Sequence, residues 1–145
     1  MNFGFKLAAV ALTALLIPFE SFAFEDKDVI DYRQSVMKTI DEQVAAIGMI
    51  VSAQIEDQNL LQHLDAIALT AQIALKSFES KVPGGESKPE VWAQWPDFAA
   101  KMTDFATRTA KLAEDAKTGG VQTVTAQLAD ALTCKACHDI YRSKK

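Results

Sequence analysis

The sequence predicts an all-α protein, an antiparallel up-down four-helix bundle, and three observations carry that expectation. Apolar residues recur at steps of three and four in four separate stretches, the period of an α-helix. Between the stretches stand breakers, chiefly Pro83-Gly84-Gly85-Glu86-Ser87-Lys88-Pro89 and the pair Gly119-Gly120. Alternating polar and apolar runs that would mark strands are almost absent from the pattern. Each predicted helix carries one apolar stripe, so it gains stability only by burying that stripe against neighbours. Two short connections and one long one suit antiparallel neighbours in a bundle.

Taken in order, residues 1–23 read as a cleavable secretory signal. Lys6 supplies the positive region, Leu7 to Ile17 is an apolar run, and Ser21-Phe22-Ala23 fits a small-x-small cleavage site. The run is short for a membrane span, which needs about 20 residues. Removing 23 of the 145 residues leaves 122, one domain by length. Lys6 and Glu20 leave with the signal, so 15 basic and 19 acidic residues become 14 and 18, a net charge of −4. With no basic tract, a nucleic-acid partner is not expected. The expected compartment is the periplasm, with no membrane contact after cleavage.

Helix A is expected from about Asp26 to Ile55, with the stripe Val29, Val36, Ile40, Val44, Ile47, Val51 and Ile55. Glu25, Asp26 and Asp28 place acids at its N-terminal end, where the helix dipole favours them. Helix B follows from Asp57 or Asn59 to Ser80, with Leu61, Leu64, Ala68, Ala71, Leu75 and Phe78 inward. After the long Pro-Gly connection, Val91 to Trp95 read as a short turn or helix, with Trp92 and Trp95 as anchors over the bundle mouth. Helix C starts near Pro96-Asp97, carries Phe98, Met102, Phe105, Thr109, Leu112 and Ala116, and stops at Gly119-Gly120. Helix D is expected to run unbroken from Val121 to about Tyr141.

The chemistry concentrates at the end of helix D, in Cys134-Lys135-Ala136-Cys137-His138. C-x-x-C-H is the attachment sequence of a c-type haem. Two thiols three residues apart can add to the two vinyl groups of one porphyrin, and the adjacent imidazole then lies under the iron. At about 100° per residue, Cys134, Cys137 and His138 fall within an arc of roughly 100°, and Arg142 returns to that face. Two other readings of the pair are weaker. A redox disulfide normally opens a helix after a strand, whereas this pair sits near the end of what reads as a long helix. A structural zinc site wants four ligands, whereas the chain has two cysteines and its other histidine, His63, is distant in sequence. Covalent haem attachment occurs outside the bacterial cytoplasm, in agreement with the signal. A single haem c per chain is therefore the expected cofactor.

A bundle with C-x-x-C-H at its C-terminal end resembles the class II c-type cytochromes, which comprise cytochrome c prime and its low-spin relatives. Tyr32-Arg33-Gln34-Ser35-Val36-Met37 is similar to that family's R-Q-x-x-[M or L] segment, and Lys88-Pro89-Glu90-Val91-Trp92 is a looser match. The resemblance implies that Cys134 and Cys137 form the thioethers and that His138 is the proximal iron ligand. It implies that Arg33 and Gln34 approach a haem propionate, which a guanidinium can grip in fork geometry. Arg142 matches a basic residue close to the proximal histidine. Met37 matches the position that points at the distal side of the iron. Members of the family often form homodimers through helices A and B, and the apolar content of those helices here permits one.

Met37 then separates two functions. As a second axial ligand it would give a six-coordinate, low-spin iron of raised potential, an electron carrier serving periplasmic redox proteins. As a packing residue it would leave a five-coordinate iron open to nitric oxide or carbon monoxide. The expectation at this stage is the electron carrier, with gas binding as the alternative. No carboxylate pair or nucleophile–base constellation suggests an enzyme, and no polar distal acid–base group suggests a peroxidase.

Overall fold

The computed structural model describes residues 24–144. The expected signal at 1–23 lies outside the described residues. The elements are α1 (Asp26–Val51), α2 (Leu60–Ala74), α3 (Glu90–Ala93), α4 (Trp95–Ala131) and α5 (Cys134–Tyr141), with short 3-10 turns at Asp57–Asn59 and Leu75–Phe78. At Gly120 (φ 55°, ψ −153°) α4 kinks into segments 95–119 and 121–131, in a backbone region that only glycine enters without strain. Helix A is thus α1, helix B is α2 with its 3-10 extension, and helices C and D are the two arms of α4. The four form the antiparallel bundle expected. Among the described residues no helix is long and apolar enough to cross a membrane.

The stripes meet in one core. Ile47 of α1, Leu64 and Ile67 of α2, and Leu112 and Val124 of α4 are all buried to 1% exposure or less. Each such side chain contributes roughly 1.5–3 kcal/mol by leaving water. Central in this arrangement is α2, which packs along both α1 and α4. Several inward positions on it are small (Ala68, Ala71, Ala74), so the neighbouring helices approach closely.

The expected boundaries need four corrections. First, α1 stops at Val51, because Ala53 turns into the left-handed region (φ 58°) and leaves Ile55 out in solvent. Second, α2 buries Leu60 and exposes Leu61, so its stripe is set one residue earlier at the start than the sequence suggested. Third, the end of helix B tightens into 3-10 geometry after Ala74 and stops at Phe78 rather than Ser80. Fourth, helix D is not continuous. Its helical pattern lapses at Leu132 (φ −104°, ψ 66°) and Thr133, so C-x-x-C-H opens the separate helix α5.

Candidate haem site

One eight-residue helix presents the motif, α5 (Cys134–Tyr141), which restarts after the break at Leu132 and Thr133. Cys134 and Cys137 are free thiols, both half-buried, and Cys137 packs against the bundle core. Burial pushes both thiols above their ordinary range. His138 sits at the edge, open to solvent on one side. Partial burial, and then the neighbouring Arg142 charge, hold its imidazole below the usual histidine value. That favours the neutral ring, the form that ligates a metal.

The surrounding walls come from α1 and α4. The Asp41 carboxylate of α1 lies within electrostatic reach of both Cys134 and His138, and Lys101 and Asp97 of α4 act on Cys137. Met37 stands one helical turn before Asp41, on the same side of α1. Its side chain is half-buried and packs against the core.

At the other end of α5, Tyr141 is buried and stacks edge-on against Phe98 at 5.1 Å, while Phe98 meets Phe78 at 5.0 Å and Trp95 at 5.7 Å. The Tyr141 hydroxyl donates to Asp97. Burial, together with that carboxylate, pushes the phenol up to about 12.

Arg33 is among the most buried side chains, at 1% exposure. Its guanidinium donates to the carbonyls of Val82 (2.6 Å) and Gly84 (2.7 Å), and its carbon lies over the rings of Trp92 (5.2 Å) and Phe78 (5.9 Å). The Trp92 indole donates in turn to Phe78 O at 2.9 Å. Arg33 therefore ties the start of the long connection to α1. Gln34, one residue on, is exposed and leans on the same connection. A Cβ placed on Gly85 (φ +58°) would come within 2.8 Å of Gln34 Nε2, so only glycine permits this approach.

The connection then reaches the end of α5. Lys88 N donates to Tyr141 O (3.0 Å), Lys88 Nζ to Ile140 O (2.8 Å), and Ser143 N to Glu86 O (2.8 Å). Arg142 pairs with Glu86 through Nε at 2.6 Å and through a second guanidinium nitrogen at 2.5 Å. His138, Arg142, Lys88 and Asp139 line one shallow groove here.

Cys134, Cys137, His138, Met37, Arg33 and Gln34 were expected from sequence to form the site, with Arg142 beside them. The structure gathers Cys134, Cys137 and His138 on one helix, with Met37 on the side of α1 that carries Asp41. Arg33 and Gln34 meet on the 82–85 segment. Arg33 Nε is buried without an acceptor among the described residues, and an unused guanidinium donor suits a carboxylate such as a propionate. The paired half-buried thiols, adjacent neutral imidazole and spare donor fit a c-type haem. No cluster of three or more His, Cys, Asp or Glu side chains among the described residues could hold a bare metal ion. His63 stands on α2, its ring bonded to Gln43 of α1 at 2.8 Å.

Sequence reasoning missed the partners Tyr141, Asp97, Glu86 and Lys88. Tyr141 carried a signal, since it falls seven residues after Cys134 and four after Cys137 and so shares their helix face. Lys88 stood in the looser family match without a role, and Glu86 carried no signal.

Comparison with known proteins gives the same picture. Residues 28–142 match the family described as Cytochrome C'. A cytochrome c' of Rubrivivax gelatinosus is 29% identical over 130 residues, covering 81% of this chain and 95% of that one. Two solved structures of cytochrome c prime from Alcaligenes xylosoxidans are also similar. A ferrous variant with bound nitric oxide is 26% identical with a TM-score of 0.78, covering 86% of this chain and 100% of the other. A carbon monoxide-bound variant is 25% identical with a TM-score of 0.76, covering 83% and 98%. The chain belongs to the cytochrome c' family, four-helix-bundle proteins that bind haem c covalently.

Proposed function

We propose that this chain is a periplasmic single-haem protein that binds a small diatomic gas. Cys134 and Cys137 would carry the thioethers and His138 would ligate the iron, which would take up nitric oxide or carbon monoxide. The observation that carries this reading is the packing of Met37 against the buried core. To ligate, its thioether would have to give up those apolar contacts. The nitric oxide- and carbon monoxide-bound relatives support the same reading. Bound haem supplies a ferric–ferrous couple and a coordination position for the gas. The chain favours the neutral form of the His138 imidazole, and the spare Arg33 donor suits a propionate.

The test is the optical spectrum of matured holoprotein, ferric and ferrous, with and without carbon monoxide. A broad high-spin spectrum that shifts at once on adding carbon monoxide, and is retained in Met37→Ala, is the expected result. A low-spin spectrum with a sharp alpha band and a methionine–iron band, both lost in Met37→Ala, would overturn it.

Electron transfer, the function expected from sequence, is the second reading, and the position of α5 favours it. Its cysteines are only half-buried and His138 is exposed, which would leave a porphyrin edge near the surface for a periplasmic redox partner. The low-spin outcome above would put this reading first, with Met37 as the sixth ligand. A homodimer through α1 and α2 belongs to either reading, and sedimentation at high concentration tests it.

A further inference from the structure

We propose that Glu86 is a positioning residue for the haem iron, neutralising the Arg142 guanidinium beside His138 and so holding down the reduction potential. This rests on the reading of His138 as the axial ligand and adds to it a residue from outside the attachment motif.

The geometry is specific. Arg142 stands one turn after His138, and its amide donates to the His138 carbonyl at 3.0 Å. Both side chains line the same groove, so the Arg142 charge is carried at the axial ligand. Glu86 arrives from 56 residues away and takes that guanidinium on one carboxylate oxygen, Oε2, through two nitrogens at 2.6 and 2.5 Å. It is not free to drift. Its own carbonyl accepts from Ser143 N at 2.8 Å, and Ser87 pairs in antiparallel fashion with Arg142. Two residues on, Lys88 binds the carbonyls of Ile140 and Tyr141. Backbone pairing on both sides of the ion pair fixes where the carboxylate stands.

A positive charge near the iron favours the ferrous state, because reduction adds an electron. The Arg142–Glu86 pair presents almost no net charge, whereas either partner alone presents one. Glu86 thus acts on the iron through Arg142. Half-exposure of the pair keeps the effect moderate, and added salt weakens it.

The experiment measures reduction potential in matured holoprotein for Glu86→Gln, Arg142→Gln and the double variant, at low and high salt. Glu86→Gln should shift the potential upward and Arg142→Gln downward. The double variant should return close to wild type, and the shifts should shrink in salt. Amide exchange at Ser143 and Lys88 reports separately whether the loop stays paired. Single shifts of the same sign, or a double variant no nearer to wild type, would overturn the proposal, since a merely structural role behaves that way. Failure of the axial assignment looks different: the wild-type and His138→Ala spectra would then be the same.

Discussion

Truncating Arg33 should destabilise the protein by about 2–4 kcal/mol, through the long connection rather than through the core. The guanidinium makes two charge-assisted hydrogen bonds, to Val82 O at 2.6 Å and Gly84 O at 2.7 Å. Such bonds contribute roughly 1.5–3 kcal/mol each. Its stacking over Trp92 at 5.2 Å adds about 0.5–2 kcal/mol. Opposing these is the desolvation of a cation at 1% exposure, which costs several kcal/mol and also lowers its pKa. Arg33→Ala removes the bonds and leaves a void beside Phe78 and Trp92, so the loss outweighs the relief. Arg33→Met keeps most of the volume while discarding the charge, and should lose only about 1–2 kcal/mol. Urea unfolding of the holoprotein reads both variants as shifts in midpoint at constant slope. Hydrogen exchange then locates the loss. Ser87 N, bonded to Gly84 O, and Lys88 N, bonded to Tyr141 O, should exchange faster in Arg33→Ala. An Arg33→Ala midpoint within about 0.5 kcal/mol of wild type would refute the reasoning, as would a loss with those two amides unaffected.

Two further predictions concern the Tyr141–Asp97 contact and the glycines at 85 and 120. The Tyr141–Asp97 contact should steepen the pH dependence of stability at both ends. The Tyr141 phenol is raised to about 12, so its contribution is whole below the ordinary tyrosine range and disappears as pH climbs through that value. The Asp97 carboxyl, lowered first by the Tyr141 hydroxyl, contributes above the ordinary carboxylate range and loses that contribution as pH falls through its lowered value. Thermal midpoints of Tyr141→Phe across pH should therefore be flatter than wild type at both extremes; equal slopes would disprove the coupling. Gly85→Ala should cost about 2–3 kcal/mol by denaturation, because a positive φ and a 2.9 Å encounter with Ile30 Cγ2 act together. Gly120→Ala, where a Cβ meets nothing within 4 Å, should cost only the backbone strain, about 1–3 kcal/mol. A Gly85→Ala loss below about 1 kcal/mol would contradict the close approach.

The bundle was legible because its signals are local. A stripe such as Val36, Ile40 and Ile47 repeats within one helix, and Gly120 marks its turn in the sequence itself. What escaped depends on partners far along the chain. Adjacent leucines at 60 and 61 leave the phase of a helix start open, and only packing against α1 and α4 buries the first. The break before Cys134 carries no glycine or proline, so nothing in Leu132-Thr133 announces it. Arginine is mostly exposed, so nothing local marks Arg33 as buried. Its burial instead requires Phe78 and Trp92, 45 and 59 residues away, closing over it. The attachment motif is the opposite case, since three adjacent functional groups and one helical turn define it.

These differences place the control of the site in its least regular segment. Because helical hydrogen bonding lapses between α4 and α5, the direction of α5 is not inherited from the bundle. Its far end is what holds it. Tyr141 is locked against Phe98 and Asp97 of α4, and residues 86–88 bind the backbone of 140–143. That same connection is gripped at its start by Arg33 of α1. The helix carrying Met37 and the helix carrying His138 are therefore linked through the 82–88 connection as well as through the core. A loop positioned by a rigid scaffold commonly carries function, and under the proposed function this one would do so without supplying a ligand. It would set the angle of α5 and, through Glu86, the local charge beside His138.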